Sequence, residues 1–150
     1  MTRELLLVED SDDDYEMFLR TCNTVGFKAN VRRFADGDEA LAHLRQLNWN
    51  KSGDDHLPAL ILLDLNLPGM DGRELLDVLK QDSVLRLVPV VVYTTSSNES
   101  DIAFCYEHHA NGYQLKPMNV AQLESDICAL IDYWFTRVVS PYTFPIRSSG

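Results

Sequence analysis

No apolar run in this 150-residue chain approaches the ~20 residues that a membrane-spanning helix needs. Leu5-Leu6-Leu7-Val8 comes too early and is too short to be the apolar segment of a signal peptide. A cytoplasmic protein is expected. Basic charge is scarce: 13 Lys and Arg stand against 23 Asp and Glu, leaving a net charge of −10. The basic residues do not cluster, so a direct nucleic-acid partner, which needs a concentrated basic surface, is not expected. Cysteine is sparse too. Cys22, Cys105 and Cys128 are far apart, odd in number and set in helical patterns, and they read as buried free thiols. The histidines show no metal-ligand spacing, and the adjacent His108 and His109 would point in different directions on a helix. Repeats, linkers and low-complexity segments are absent.

What the chain does have is alternation. Residues 4–8 read as a short buried strand. Residues 12–23 follow with Tyr15, Phe18, Leu19 and Cys22 at helical spacing, stopped by Gly26. Residues 27–34 alternate as a strand. Asp36 and Glu39 form a capping box ahead of a helix marked by Ala40, Leu41, Leu44 and Leu47. Residues 48–58 are a polar loop, and residues 59–63 form an almost wholly apolar strand that ends at Asp64. Such a strand is covered on both faces. Residues 72–81 form a third helix, and residues 89–93 a buried strand ending at Thr94-Thr95. A weaker helix spans 98–109, and a short strand spans 112–115 before Lys116-Pro117. Asn119 caps the last helix, with Gln122 completing its box. Val120, Leu123, Ile127, Leu130, Ile131 and Trp134 form its core stripe. Five strands alternating with five helices predict an α/β fold, too few units for a closed barrel. A doubly wound, flavodoxin-like parallel sheet in the order 2-1-3-4-5 fits.

That order makes strands 1 and 3 neighbours, with a ligand crevice beyond their carboxyl ends. Glu9 and Asp10 follow strand 1 and Asp64 follows strand 3, so three carboxylates converge. Their crowding calls for a cation or a proton, and hard oxygen ligands on a loop suit Mg²⁺. Strand 4 delivers the hydroxyl of Thr94 and strand 5 the amine of Lys116. A carboxylate nucleophile, a metal, a hydroxyl and an ammonium are what an aspartyl phosphate needs. Asp12, Asp13 and Asp14 are read as capping the first helix and meeting its positive end. Asp71 and Gly72 are read as starting the third helix, and Asp54 and Asp55 as loop solvation.

Val8-Glu9-Asp10, the run Leu62-Leu63-Asp64-Leu65-Asn66-Leu67-Pro68-Gly69-Met70-Asp71-Gly72, Thr94, Tyr113 and Lys116-Pro117 together resemble the response-regulator receiver domains. The resemblance covers roughly residues 3–135. It implies that Asp64 is the phosphoacceptor and that Asp10 and Asp64 hold Mg²⁺ or Mn²⁺. Asn66 would add its backbone carbonyl, and Glu9 would act through water. It also implies that Thr94 is the switch hydroxyl, Tyr113 the rotating aromatic and Lys116 the phosphate-binding cation, and that the Lys116–Pro117 bond is cis. Thr95 is bulkier than the small residue usual beside the switch hydroxyl. The loop at 48–58, the run Asp71-Gly72-Arg73-Glu74 and Asp132-Tyr133-Trp134-Phe135 look like the response regulators of cyanobacterial phytochromes. A phytochrome-like histidine kinase is the partner this implies.

The expected function is that of a single-domain response regulator signalling through protein contacts, a phosphoacceptor and not a turnover enzyme. The alternatives are a receiver-like interaction module that is never phosphorylated and an aspartate-dependent phosphatase. The phosphatase needs a second acid two residues after its nucleophile, where this chain has Asn66. A flavin module would need a hydroxyl- and glycine-rich loop after strand 1, where six residues include five acids. Residues 1–135 are assigned to the receiver domain and 136–150 to a tail. Tyr133, Phe135, Val138, Val139, Tyr142, Phe144 and Ile146 read as surplus to one core. At ~150–250 Å² per aromatic side chain they approach the ~800 Å² per partner of a standard interface, so a homodimer through the last helix and tail is expected.

Overall fold

The computed structural model describes residues 3–28, 30–47 and 57–141. Five parallel strands stand in the order β2-β1-β3-β4-β5, as the alternation predicts. They are β1 (Glu4–Val8), β2 (Asn30–Phe34), β3 (Leu60–Leu63), β4 (Val90–Thr94) and β5 (Gly112–Leu115). The helices between and after them are α1 (Asp12–Thr24), α2 (Gly37–Arg45), α3 (Gly72–Gln81), α4 (Glu99–Glu107) and α5 (Val120–Asp132). A 3-10 turn (Leu85–Leu87) precedes β4, and a π-helical turn (Tyr133–Arg137) follows α5.

Successive side chains of a strand point to opposite faces, and the central strands supply a core to each. Leu6, Val8, Ile61, Leu63, Val90 and Val92 pack with Leu41, Leu44, Leu75, Leu76, Leu79 and Cys105 on one side. Leu5, Leu7, Leu60, Leu62, Val91 and Tyr93 pack with Phe18, Cys22, Ile127 and Leu130 on the other. All four side chains of β3 are buried, each contributing about 1.5–3 kcal/mol. The helix starts are fixed by side-chain caps. Ser11 accepts from Asp14 N, Asp36 from Asp38 N and Glu39 N, Asp71 from Arg73 N, Asn98 from Ser100 N and Asn119 from Gln122 N.

Several expectations need correction. The second strand begins at Asn30, not Phe27. Gly26 at φ 79° reverses the chain, and Phe27 N–H closes α1 by donating to Cys22 O at 2.9 Å. The Phe27 ring packs edge-on against Phe135, 4.9 Å between centroids. Phe135 is therefore buried core and no part of a surplus patch, whereas Tyr133 and Val139 are exposed. Val120, the first residue of α5, leaves the core stripe and is exposed. Cys128, one position after the buried Ile127, turns to solvent, while Cys22 and Cys105 are buried. The helix expected at 98–109 stops at Glu107, and His109 takes a left-handed φ of 72°. Tyr142, Phe144, Ile146 and most of the polar loop, including Asp54 and Asp55, lie outside the described residues. No helix among those residues is long and apolar enough to cross a membrane.

Candidate functional site

The sheet ladder runs one residue past the strands and sets the acids side by side. Val8 pairs with Leu63, Asp64 N–H donates to Val8 O at 3.0 Å, and Glu9 N–H donates to Phe34 O at 2.9 Å. Glu9, Asp10 and Asp64 each bring a carboxylate oxygen to within 4.8 Å of the others. Glu9 and Asp64 are buried and Asp10 is exposed. On the far side, Lys116 N–H donates to Thr94 O at 2.8 Å, continuing the β4–β5 ladder. Its ammonium then lies 2.5 Å from Glu9 Oε1, 2.9 Å from Asp14 Oδ2 and 3.0 Å from Asp64 Oδ2. The other Asp64 oxygen accepts from Leu65 N at 2.7 Å.

Among the described residues, Lys116 is the cation that Glu9, Asp14 and Asp64 share. Burial pushes the Glu9 carboxyl up to about 7, against the pull of Lys116. Burial also opposes the charge on Lys116, but hydrogen bonds to Glu9 and Asp14 more than offset it and hold the ammonium above its ordinary value. Attraction alone would raise the lysine and lower the glutamate; at Glu9 burial, helped by the neighbouring Asp64 charge, outweighs it. The surplus of carboxylates over ammonium and the hard oxygen donor set fit a divalent cation of the Mg²⁺ or Mn²⁺ kind.

Thr94 ends β4 and is fully buried, its Oγ1 facing Ser96 N at 3.4 Å. Thr95, next along, is exposed. Tyr113 on β5 is partly buried, and its hydroxyl donates to Ser96 O at 2.7 Å. Asn66 lies exposed in the loop after β3. Asp71 caps α3 as expected. The Lys116–Pro117 bond, expected cis, is trans, since the described residues contain no cis peptide. Trans is the intrinsic preference of an X–Pro bond by about 0.5–1 kcal/mol, and Lys116 reaches all three acids in that geometry.

Two residues of the site were not assigned to it from sequence. Asp14 was read with its neighbours as a helix cap, but Ser11 is the cap and the Asp14 carboxylate turns to Lys116. The available signal was spacing: Asp14 lies one helical turn beyond Asp10, on the side facing the crevice. Arg33 on edge strand β2 donates from Nε to Glu9 O at 2.9 Å, lies over the Tyr15 ring at 4.7 Å and has Nη2 2.9 Å from Asp12. It pins the turn that carries Glu9 and Asp10.

Comparison with known proteins bears on this arrangement. Residues 5–127 match the family described as the response regulator receiver domain. The chain is 39% identical to the response regulator Rcp1 of Synechocystis over 137 residues, 91% of this chain and 92% of that one. It is 36% identical to the probable methanogenesis regulatory protein FilR2 of Methanothrix harundinacea, over 91% of this chain and 86% of the relative. The phosphorylated cyanobacterial phytochrome response regulator RcpA superposes with a TM-score of 0.83 at 38% identity, covering 94% of this chain and 99% of its own. The Mn²⁺-bound form of Rcp1 does so at 0.81 and 38%, covering 93% and 99%.

Proposed function

The chain belongs to the response regulator receiver domain family, and from that premise we propose that it accepts a phosphoryl group on Asp64 from a histidine kinase and signals through protein contacts. The carrying observation is the Lys116 ammonium 3.0 Å from Asp64 Oδ2, beside the convergent acids Glu9 and Asp10. In the transfer, an Asp64 carboxylate oxygen attacks phosphorus, the donor's P–N or P–O bond breaks, and the bonding electrons leave with the donor. Lys116 offsets charge on the phosphoryl oxygens as it develops. Asp10, Asp64 and the Asn66 carbonyl would hold Mg²⁺ or Mn²⁺, with Glu9 acting through water. Bound there, the metal neutralises the acids that would otherwise repel the phosphoryl group. Thr94 turns its hydroxyl to the phosphoryl group, and Tyr113 follows the shifted loop. Such a population shift is worth ~1–3 kcal/mol in typical cases.

Likeness to Rcp1 and RcpA supports a kinase of the phytochrome type. Exposed Tyr133, just before the tail at 136–150, and exposed Val139 within it support self-association. The acidic charge and the apolar content short of a membrane helix support a cytoplasmic protein without a nucleic-acid partner.

The test is intact-mass measurement after incubation with acetyl phosphate. Wild type in magnesium gains one phosphoryl group, and Asp64→Asn gains none. Wild type in EDTA loses the gain. Full labelling of Asp64→Asn overturns the assignment of the acceptor, and equal labelling in EDTA overturns the metal requirement.

A further inference from the structure

The three carboxylates of the crevice are held in different ways. Glu9 Oε2 accepts from Ser11 N at 3.2 Å, and its Oε1 meets the Lys116 ammonium. Asp64 accepts from Leu65 N at 2.7 Å and from Lys116 at 3.0 Å. Asp10 is exposed, and no hydrogen bond or ion pair among the described residues holds its carboxylate. Its aim is therefore set by the backbone of the turn between β1 and α1.

That backbone is tied from the edge strand. Leu7 pairs with Arg33 and Val8 with Phe34, and Glu9 N–H continues the ladder by donating to Phe34 O at 2.9 Å. Beyond that bond the Arg33 side chain reaches over, and its Nε donates to Glu9 O at 2.9 Å. This oxygen belongs to the peptide unit that joins Glu9 to Asp10. The unit is planar, so a bond that fixes its carbonyl also fixes the Asp10 N–H and Cα. The guanidinium is itself held. Its carbon lies 4.7 Å from the centre of the Tyr15 ring, within cation–π range, and the side chain is only 17% exposed. Asp12, 84% exposed, stands 2.9 Å from Nη2 but outside hydrogen-bonding geometry. An ion pair so open to solvent contributes little, so the Glu9 carbonyl and the Tyr15 ring place Arg33. Tyr15 is the fourth residue of α1. Arg33 thus ties the residue before Asp10 to the helix after it.

We infer that Arg33 is a positioning residue for the divalent cation, holding the Glu9–Asp10 peptide so that Asp10 points at the other two acids before the ion binds. The inference rests on the receiver reading of that site. The three acids bring carboxylate oxygens to within 4.8 Å of one another while Arg33 holds the turn, so the tie and the convergence occur together. Partners behind metal ligands typically change affinity by about 10- to 100-fold. Charge alone acts in the opposite direction. A guanidinium beside a cation site repels the ion, and its removal should tighten binding. Positioning and charge therefore separate by sign.

The experiment uses the full chain as wild type, Arg33→Met, Arg33→Lys and Arg32→Met, without a phosphodonor. Arg32, the neighbour on β2, pairs with Glu4 and is half exposed, so its loss removes the same charge without touching the turn. Thermal melts report folding. The electron-spin signal of free Mn²⁺ gives the affinity for that ion, and Mg²⁺ and Ca²⁺ are measured by competition against it. Arg33→Met should bind Mn²⁺ about tenfold more weakly or worse. Arg32→Met should bind it as tightly as wild type or slightly tighter. Arg33→Lys, with the charge but not the rigid fork, should fall between wild type and Arg33→Met. In both Arg33 variants Mg²⁺, which demands near-ideal octahedral geometry, should lose more affinity than Ca²⁺, which accepts irregular shells. Arg33→Met that binds Mn²⁺ as tightly as wild type or tighter would overturn the positioning role. Equal losses for Mg²⁺ and Ca²⁺, or a matching loss in Arg32→Met, would overturn it too. Should Arg33→Met not fold, Arg33→Lys decides on the same readouts. Wild type that binds no Mn²⁺ would overturn the metal reading of the site, and the role of Arg33 with it.

Discussion

Two lysines are shielded at opposite ends of the strands, and they differ in the charge of what surrounds them. Lys116, at the carboxyl ends of the strands, reaches Glu9, Asp14 and Asp64. Lys80, near the end of α3, donates to Val88 O at 2.9 Å, Asn111 Oδ1 at 3.1 Å and Arg86 O at 3.3 Å. Burial pushes the Lys80 amine down to about 8, with no carboxylate among these partners to oppose it. At Lys116 the acids overturn the same penalty. Asn111 Oδ1 also accepts from Val90 N at 2.8 Å, so Lys80 fastens α3 to the amino ends of β4 and β5. An ammonium among neutral carbonyls is a structural tie. An ammonium among surplus carboxylates can exchange one of them for the oxygens of an incoming phosphoryl group. In an open α/β sheet that exchange belongs at the carboxyl ends, where the loops gather.

The contrast breaks most visibly on the rate of phosphoryl acceptance. Lys116→Met should slow labelling by acetyl phosphate by on the order of 100-fold or more, the scale of losing one preorganised donor to developing charge. Lys80→Met should leave the rate unchanged. Comparable slowing in both variants would erase the distinction. Stability reads it in the opposite sense. Lys80→Met takes the donor from Val88 O and Arg86 O and should cost about 1–3 kcal/mol in urea unfolding. The sign of the pH dependence follows from the depressed Lys80 value. Between about 8 and the ordinary 10.5 the unfolded chain holds more of this proton than the folded one. Wild-type stability should therefore rise relative to Lys80→Met as pH climbs through that window. The penalty of the buried ammonium is complete below it. Parallel pH profiles would mean that Lys80 is not held as described.

A smaller effect sharpens the boundary between site and periphery. Truncation after Ser140 should weaken self-association in sedimentation while leaving labelling and melting temperature unchanged. Truncation after Trp134 also removes Phe135, which packs on Phe27, and should lower the melting temperature as well. A dimer that survives loss of residues 141–150 would place the contact elsewhere.

The strands and the acids they deliver were legible because a parallel sheet buried on both faces writes itself as apolar runs, each ending in the residue it presents. Leu60–Leu63 before Asp64 is the clearest case, and the caps at Asp36, Asp71 and Asn119 were equally local. What failed depended on contacts far apart in the chain. Phe135 looked surplus until Phe27, over a hundred residues earlier, turned out to need it. Asp14 looked like one more cap because Lys116, its partner, lies 102 positions away. Arg33 gave no signal, since nothing local ties an edge-strand arginine to the carbonyl of Glu9. The trans Lys116–Pro117 bond corrected an expectation that came from resemblance and not from these residues.

The central claim is that Asp64 alone takes the phosphoryl group. Borohydride cleaves an aspartyl phosphate and leaves homoserine in place of the aspartate, so peptide mapping after acetyl phosphate, magnesium and borohydride locates the acceptor directly. The account predicts homoserine at position 64 and at no other acid. Homoserine at Asp10 or Asp14 instead, or none at position 64 under conditions that add a phosphoryl mass, would contradict it.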